Sequence, residues 1–259
     1  MGEMQLLTSR NNSYIKLATS LKQKKFRDES GLFLIEGDRN CREALEAGVV
    51  IRYAFASSQG DDELLAHPAL CQTPVFLLPE HLLAAIADTK TPQGLILIAE
   101  QRFYPLAKLI ESRKTVVLLD GLQDPGNVGT ILRTAWAAGV GGVIALPNSA
   151  DLYSPKVVRA AMGALYHLPC VQATPEQTAV ALKESGYTLL LADAAGVAFQ
   201  QLQMDPPIAW LFGSEATGPT PFWRQGQGRP VAIPMAEGVD SLNVAVAAGI
   251  LLFSPIGKK

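Results

Sequence analysis

The stretch "TVVLLDGLQDPGNVGTILRTAWAAGV", Thr115 to Val140, puts two different patterns back to back. "TVVLLD" is a continuous Val/Leu run, the composition of a parallel strand covered on both faces. "NVGTILRTAWAAGV" then places Val128, Ile131, Leu132, Ala135 and Trp136 on one side of a helix that ends at Gly139. A strand that leads directly into a helix is the start of a parallel α/β layer.

The same alternation continues outward. Downstream come "GVIAL", the helical "SPKVVRAAMGAL" and "PEQTAVALKESG", the strands "YTLLLAD", "IAWLFG" and "PVAIP", and a last helix in "DSLNVAVAAGILLFS". Upstream, residues 12–26 show Ile15, Leu17, Ala18 and Leu21 at helical spacing. "GLFLIEG" reads as a strand closed by Gly37, and "DRNCREALEAG" as a helix ending at Gly48. "VVIRYAFAS", "PVFLLPE", "HLLAAIADT" and "GLILIAE" carry the alternation to about residue 100. "QRFYPLAKLIESRK" interrupts it with Pro105 and a charged run. The expectation is a small N-terminal α/β module at 1–100, a linker at 101–114, and a larger, mainly parallel α/β domain at 115–259.

With 259 residues, 48% of them hydrophobic, the chain can bury a substantial core, and a charged fraction of 18% argues against disorder. Its 3 cysteines form no CxxC pair, which suits a reducing cytoplasm. The start "MGEMQLLTSRNN" lacks the apolar core of a signal peptide, and no run approaches the roughly 18 apolar residues of a membrane span. The formal charge of −2 gives no global attraction to nucleic acid. One local patch does: Arg10, Lys16, Lys22, Lys24, Lys25 and Arg27 accumulate within "SRNNSYIKLATSLKQKKFR" without an acid. Such a cluster is either a solvated helix face or a set of phosphate contacts.

Ligands of open parallel sheets bind at the carboxyl ends of strands. Three segments there pair glycine with polar groups: "GLQDPGNVG", "GSEATG" and "MAEGVDSLN". Gly121, Gly126 and Gly129 have the wrong spacing for GxGxxG, and no GxxxxGK[ST] occurs. His67, His81 and His167 lie outside all three segments and form neither a metal set nor a triad, so no metal site is expected.

"LLDGLQDPGNVGTILRTAWAAGV", "LFGSEATG" and "IPMAEGVDSLNVAVAAGILL", in this order, resemble the three motifs of the SpoU (TrmH) family of RNA ribose 2'-O-methyltransferases, within the SPOUT superfamily. "PKVVRAAMGALYHLP" is similar too, and residues 9–48, "SRNNSYIKLATSLKQKKFRDESGLFLIEGDRNCREALEAG", resemble the substrate-binding domain of members that modify ribosomal RNA. The resemblance implies a deep trefoil knot in the C-terminal domain, S-adenosyl-L-methionine (AdoMet) as cofactor, RNA (23S ribosomal RNA foremost) as partner, and a homodimer. Ala245 and Ala160 stand where the family often has Ser.

Motif matching assigns catalytic roles to Asn127, Arg133, Glu215, Ser241 and Asn243. It assigns cofactor contacts to Leu211, Gly213, Ile233, Met235, Ser241 and Leu242. Local chemistry supplies a plainer role for each. Asn127 precedes a helix where an N-cap belongs, Glu215 stands where a helix could begin, and Ser241 can cap the last helix with Asn243 one turn inside. Leu211, Ile233 and Met235 could simply pack in the core. Arg133 falls opposite the apolar stripe of its helix. Arginine stays protonated below about pH 12, so holding a phosphate suits it better than acting as a base. Two other readings remain open at this level: a non-catalytic RNA-binding protein on the same fold, and a methyltransferase for a transfer RNA or a small molecule.

Overall fold

The computed structural model describes residues 4–202 and 206–254. The chain divides into two compact units. One comprises Met1–Arg102 with Asp151–Tyr166, the other Phe103–Ala150 with His167–Lys259. A segment from the middle of the chain therefore belongs with the N-terminal unit, and residues 103–114 of the stretch expected as a linker belong with the second.

In the first unit the elements are β1 (Met4–Leu6), α1 (Ser13–Ser20), α2 (Lys24–Ser30), β2 (Leu32–Glu36), α3 (Asp38–Glu46), β3 (Ile51–Ala56), α4 (Asp62–Leu65), β4 (Val75–Leu77), α5 (Glu80–Ile86) and β5 (Leu95–Glu100). They form a five-stranded sheet in the order β1-β4-β3-β5-β2. β5 runs antiparallel to both β2 and β3, whereas β4 is parallel to β1 and β3. Ile15, Ala18, Leu21, Leu34, Phe55, Phe76, Leu83 and Ile98 pack into one core, each side chain larger than Ala18 contributing about 1.5–3 kcal/mol. The periodic stretch 12–26 becomes two helices rather than one. Asn12 Oδ1 caps α1 at Tyr14 N, α1 closes at Leu21, and α2 restarts at Lys24 and ends on left-handed Gly31.

α8 (Pro155–Ala161) and the first turn of α9 (Ala164–His167) belong to this unit. Polar groups hold them. Arg27 is buried and pairs with Asp151 at 2.5 Å, while its Nη1 donates to Leu21 O at 2.7 Å. Glu36 is buried too, accepting from Asp88 N, Thr89 N and the Thr89 hydroxyl. Arg159 reaches Asp88 at 2.7 Å and approaches Glu36 at 3.8 Å. The Tyr166 hydroxyl donates to Asn40 Oδ1 at 2.9 Å, and Phe33 packs against the rings of Tyr153 and Tyr166.

The second unit contains α6 (Leu106–Glu111), β6 (Val116–Asp120), α7 (Pro125–Ala137), β7 (Gly142–Ala145), β8 (Cys170–Gln172), α10 (Pro175–Glu184), β9 (Thr188–Ala198), β10 (Ile208–Gly213), α11 (Pro221–Arg224), β11 (Arg229–Ala232) and α12 (Val244–Phe253). Its six-stranded sheet has the order β11-β9-β10-β6-β7-β8, and every pairing is parallel. α6 lies inside the expected linker because Leu109 and Ile110 are buried in the core of this unit. Among the described residues no helix is long and apolar enough to cross a membrane, and no cluster of ligating side chains could hold a metal ion.

The sheet sets up the site. β6 and β10 are parallel neighbours with Asp120 opposite Gly213, so the first and second glycine-containing loops leave the sheet side by side. Buried Asp120 accepts from Thr220 N at 2.7 Å and ties the second loop down. Behind both loops α7 and α12 pack against each other.

Candidate active site

Asn127, Glu215 and Asn243 meet in three dimensions although 116 residues separate the first from the last. Asn127 Nδ2 donates to Glu215 Oε1 at 2.9 Å. Asn243 Nδ2 donates to the same Glu215 oxygen at 3.0 Å and to Asn127 Oδ1 at 3.0 Å. The carboxylate is thus fixed by two amides, while its second oxygen has no hydrogen bond among the described residues.

Helix geometry aims two of the three. Asp124, not Asn127, is the N-cap of α7: its Oδ2 accepts from Asn127 N at 3.0 Å, and Pro125 occupies the first turn. This leaves the Asn127 side chain free for Glu215, because Asp124 supplies the acceptor that an N-cap must provide. In α12 the assignment is also reversed. Asn243 is the cap, its Oδ1 accepting from Ala245 N at 3.0 Å and Val246 N at 3.3 Å, and Ser241 lies before the helix in exposed loop. One side chain therefore starts α12 with its oxygen and braces the carboxylate with its nitrogen.

No helix begins at Glu215. Ser214–Gly218 is a tight turn closed by Gly218 N to Ser214 O at 2.7 Å, with Gly218 at φ +65°. A Cβ on Gly213 would stand 2.2 Å from the backbone of Gly218 and Pro219, so only glycine lets the turn fold back over the strand end. The turn pushes Glu215 outward, where it is exposed.

Beside this cluster is a cavity of about 320 Å³ at the carboxyl ends of β10 and β11 and against the middle of β9. Glu215 belongs to its lining as well as to the polar cluster. Gly213, Ile233, Met235, Ser241 and Leu242 line it as expected; Leu211 does not, because it is fully buried in the core beneath the sheet. Its neighbour Phe212 lines the cavity instead, successive strand residues pointing to opposite faces. Asp193 and Arg224, which sequence reasoning missed, line it as well. Asp193 lies inside β9, which runs on past the "YTLLLAD" read as a strand, and the available signal was its charge directly after an apolar run.

Arg133 stands apart. It is exposed on α7, six residues beyond Asn127 and so about 9 Å along the helix axis, with no ion pair or hydrogen bond among the described residues. The basic N-terminal set is more altered. Arg27 is buried against Asp151 and is removed from any solvent-facing patch. Lys24 pairs with Asp28 at 2.6 Å, Lys25 lies 3.9 Å from Glu29, and Lys22 donates to Ala85 O at 2.9 Å. Arg10 and Lys16 are exposed and have no such partner among the described residues. The i,i+4 spacing of Lys24 with Asp28 and of Lys25 with Glu29 was readable one turn beyond the basic run.

A cavity at the ends of parallel strands, walled partly by apolar side chains and edged by a braced carboxylate, defines a small-molecule binding site on an α/β sheet. Residues 114–253 match the SpoU rRNA Methylase family and residues 12–97 match the MRM3-like substrate binding domain; the chain belongs to the SpoU rRNA methylase family. It is 30% identical over 251 residues to the 23S rRNA (guanosine(2553)-2'-O)-methyltransferase RlmP of Bacillus subtilis, covering 96% of this chain and 98% of that one. Its fold is similar to the AdoMet-bound rRNA methyltransferase from Sinorhizobium meliloti, with a TM-score of 0.86 at 32% identity and 97% of each chain covered. It is likewise similar to the SpoU methyltransferase AviRb from Streptomyces viridochromogenes in complex with AdoMet, at 0.86 and 27%, covering 96% of this chain and 98% of AviRb.

The residues present fit AdoMet. Phe212, Ile233, Met235 and Leu242 offer apolar walls for a purine ring, Gly213 lets backbone come close, and Asp193, Glu215 and Asp240 supply negative charge for a cationic ligand.

Proposed function

We propose that the chain is a ribosomal RNA 2'-O-methyltransferase that uses AdoMet, acts in the cytoplasm as a homodimer, and takes a nucleotide of the 23S molecule as its target. The observation that carries this reading is the position of Glu215, shared between the donor cavity and the Asn127–Asn243 amides. AdoMet supplies an electrophilic methyl on a sulfonium. Once bound, it would give this methyl to the ribose 2'-oxygen and leave as the thioether S-adenosylhomocysteine, and the hydroxyl proton would pass to water. Asn127 and Asn243 hold Glu215 Oε1, which leaves the other carboxylate oxygen free to accept a hydrogen bond from the ribose hydroxyl and orient it. Arg133, without an ion pair among the described residues, holds the adjoining phosphate and lowers the cost of deprotonation electrostatically. Ser241 and Leu242 shape the cavity beside the cap residue of α12.

Residues 1–100 serve RNA recognition in this reading and residues 115–259 catalysis. The loop from β11 to α12 threads the trefoil knot that the family resemblance implies. Homodimer formation is supported by α12, where Val246, Ile250 and Phe253 recur at helical spacing yet are 52%, 38% and 44% exposed. Transfer of labelled methyl from AdoMet to ribosomal RNA tests the whole reading. Incorporation by the wild type and its loss in Arg133→Ala are expected; equal incorporation by both discards the role of Arg133, and none with any RNA discards the activity. Light scattering is expected to give twice the monomer mass.

A further inference from the structure

Arg224 is the one cationic side chain among the described residues that line the donor cavity, against three acids, Asp193, Glu215 and Asp240. Its Nη2 lies 3.0 Å from Asp193 Oδ2 and donates to Thr217 O at 2.9 Å. A Cβ on Gly218 would come within 2.7 Å of the same nitrogen, so the guanidinium rests on the bare backbone of the Glu215 turn. Asp193 is itself fixed, its Oδ1 accepting from Ala195 N at 3.0 Å. One edge of the arginine is therefore held by β9 and by the Glu215 turn. Its Nη1 and Nε have no hydrogen bond among the described residues, and the side chain remains 48% exposed although it lines a cavity.

An oriented guanidinium with free donors matches a planar carboxylate. AdoMet has one such group, on its methionine end, together with two positive centres that the three acids suit. We propose that Arg224, set in place by Asp193, anchors the α-carboxylate of the methyl donor and so selects amino-acid-bearing adenosyl ligands over those without a carboxylate. This rests on AdoMet being the donor. The contact is a binding one and leaves the reacting atoms to the Glu215 cluster.

The test is titration calorimetry of the full chain with AdoMet, with S-adenosylhomocysteine and with decarboxylated AdoMet, which keeps the sulfonium and the ammonium. Wild type is expected to prefer AdoMet over its decarboxylated form by about ten- to a hundredfold, the worth of one or two hydrogen bonds between charged groups. Arg224→Gln is expected to bring that ratio close to one by weakening AdoMet alone. Arg224→Lys keeps charge facing Asp193 but has no second nitrogen; the ratio is expected to fall there too, which covers the case of a glutamine variant that does not fold. Equal weakening of both ligands would make Arg224 only a strut for the Glu215 turn and would overturn the assignment. So would an unchanged ratio in the variants, or a wild type that does not distinguish the two. Failure of wild type to bind either AdoMet or S-adenosylhomocysteine would instead remove the donor reading, and the assignment with it.

Discussion

Two polar networks in this protein join residues far apart in sequence, and they are built on opposite terms. Around Asp151–Tyr166, Arg27, Glu36, Asn40 and Tyr166 are buried and engaged, with Asn40 Nδ2 the one buried polar atom of these four left without a hydrogen bond among the described residues. Around Glu215, the same kinds of side chain sit at the surface, and one carboxylate oxygen and one arginine are left without partners among the described residues. Closed polar networks hold a structure, because a buried charge that loses its partner is expensive. Open ones can accept a ligand, because their remaining valences are already aimed.

Substitutions should split these networks cleanly. The largest effect is expected for Glu215→Ala and Arg133→Ala, which should lower methyl transfer by about 10²–10⁴-fold and leave the melting temperature near that of wild type; a large drop in melting temperature for either would merge the two networks. Asp151→Ala strands Arg27 and is expected to cost about 3–5 kcal/mol in urea unfolding, while the folded fraction keeps its turnover. Asn243 belongs to both categories. Asn243→Asp keeps the cap but loses both amide donors, so turnover should fall with little change in stability, whereas Asn243→Ala should lose about 1 kcal/mol as well.

A pH dependence sharpens the same contrast. Burial raises the Tyr166 phenol well above its ordinary value of 10.0, with the nearby Cys41 adding to the rise and the Asn40 hydrogen bond opposing it. Above about pH 10 the unfolded chain loses this proton while the folded chain keeps it, so stability is fully present below that pH and falls above it. Urea midpoints at pH 9 and 11 should drop more steeply for wild type than for Tyr166→Phe. The smallest effect concerns RNA. Arg10→Ala with Lys16→Ala should flatten the salt dependence of binding by about one to two units of slope, and Lys24→Ala with Lys25→Ala by less, because Asp28 and Glu29 already compete for those lysines. The reverse order would mean that RNA breaks both surface pairs.

Strand and helix patterns were legible wherever one residue type ran through an element. "TVVLLD" and "IAWLFG" read directly as β6 and β10 because strands buried on both faces tolerate little else. The meeting of Asn127, Glu215 and Asn243 came through motif resemblance, since spacing carries no information about which loops adjoin once the sheet is assembled. Three local assignments failed for one reason: Asp124 outcompeted Asn127 as a cap, Asn243 outcompeted Ser241, and Gly218 turned the Glu215 segment before a helix could start. Each was a contest between neighbours of similar propensity. β1 and β8 show no apolar run of the kind that marks the equally short β4, since β1 is exposed throughout and β8 buries only Val171, so periodicity could not reveal them. The burial of Arg27 was invisible for the same kind of reason, its partner lying 124 residues away.

The excursion of the chain from Asp151 to Tyr166 also bears on how such a protein can be divided or recombined. A piece cut after Arg102 would lack the tyrosines that cover Phe33 and the aspartate that neutralises Arg27. The N-terminal module is therefore not a detachable bead. Exchange of this module between relatives would have to carry residues 151–166 along with it, or replace the whole chain at once.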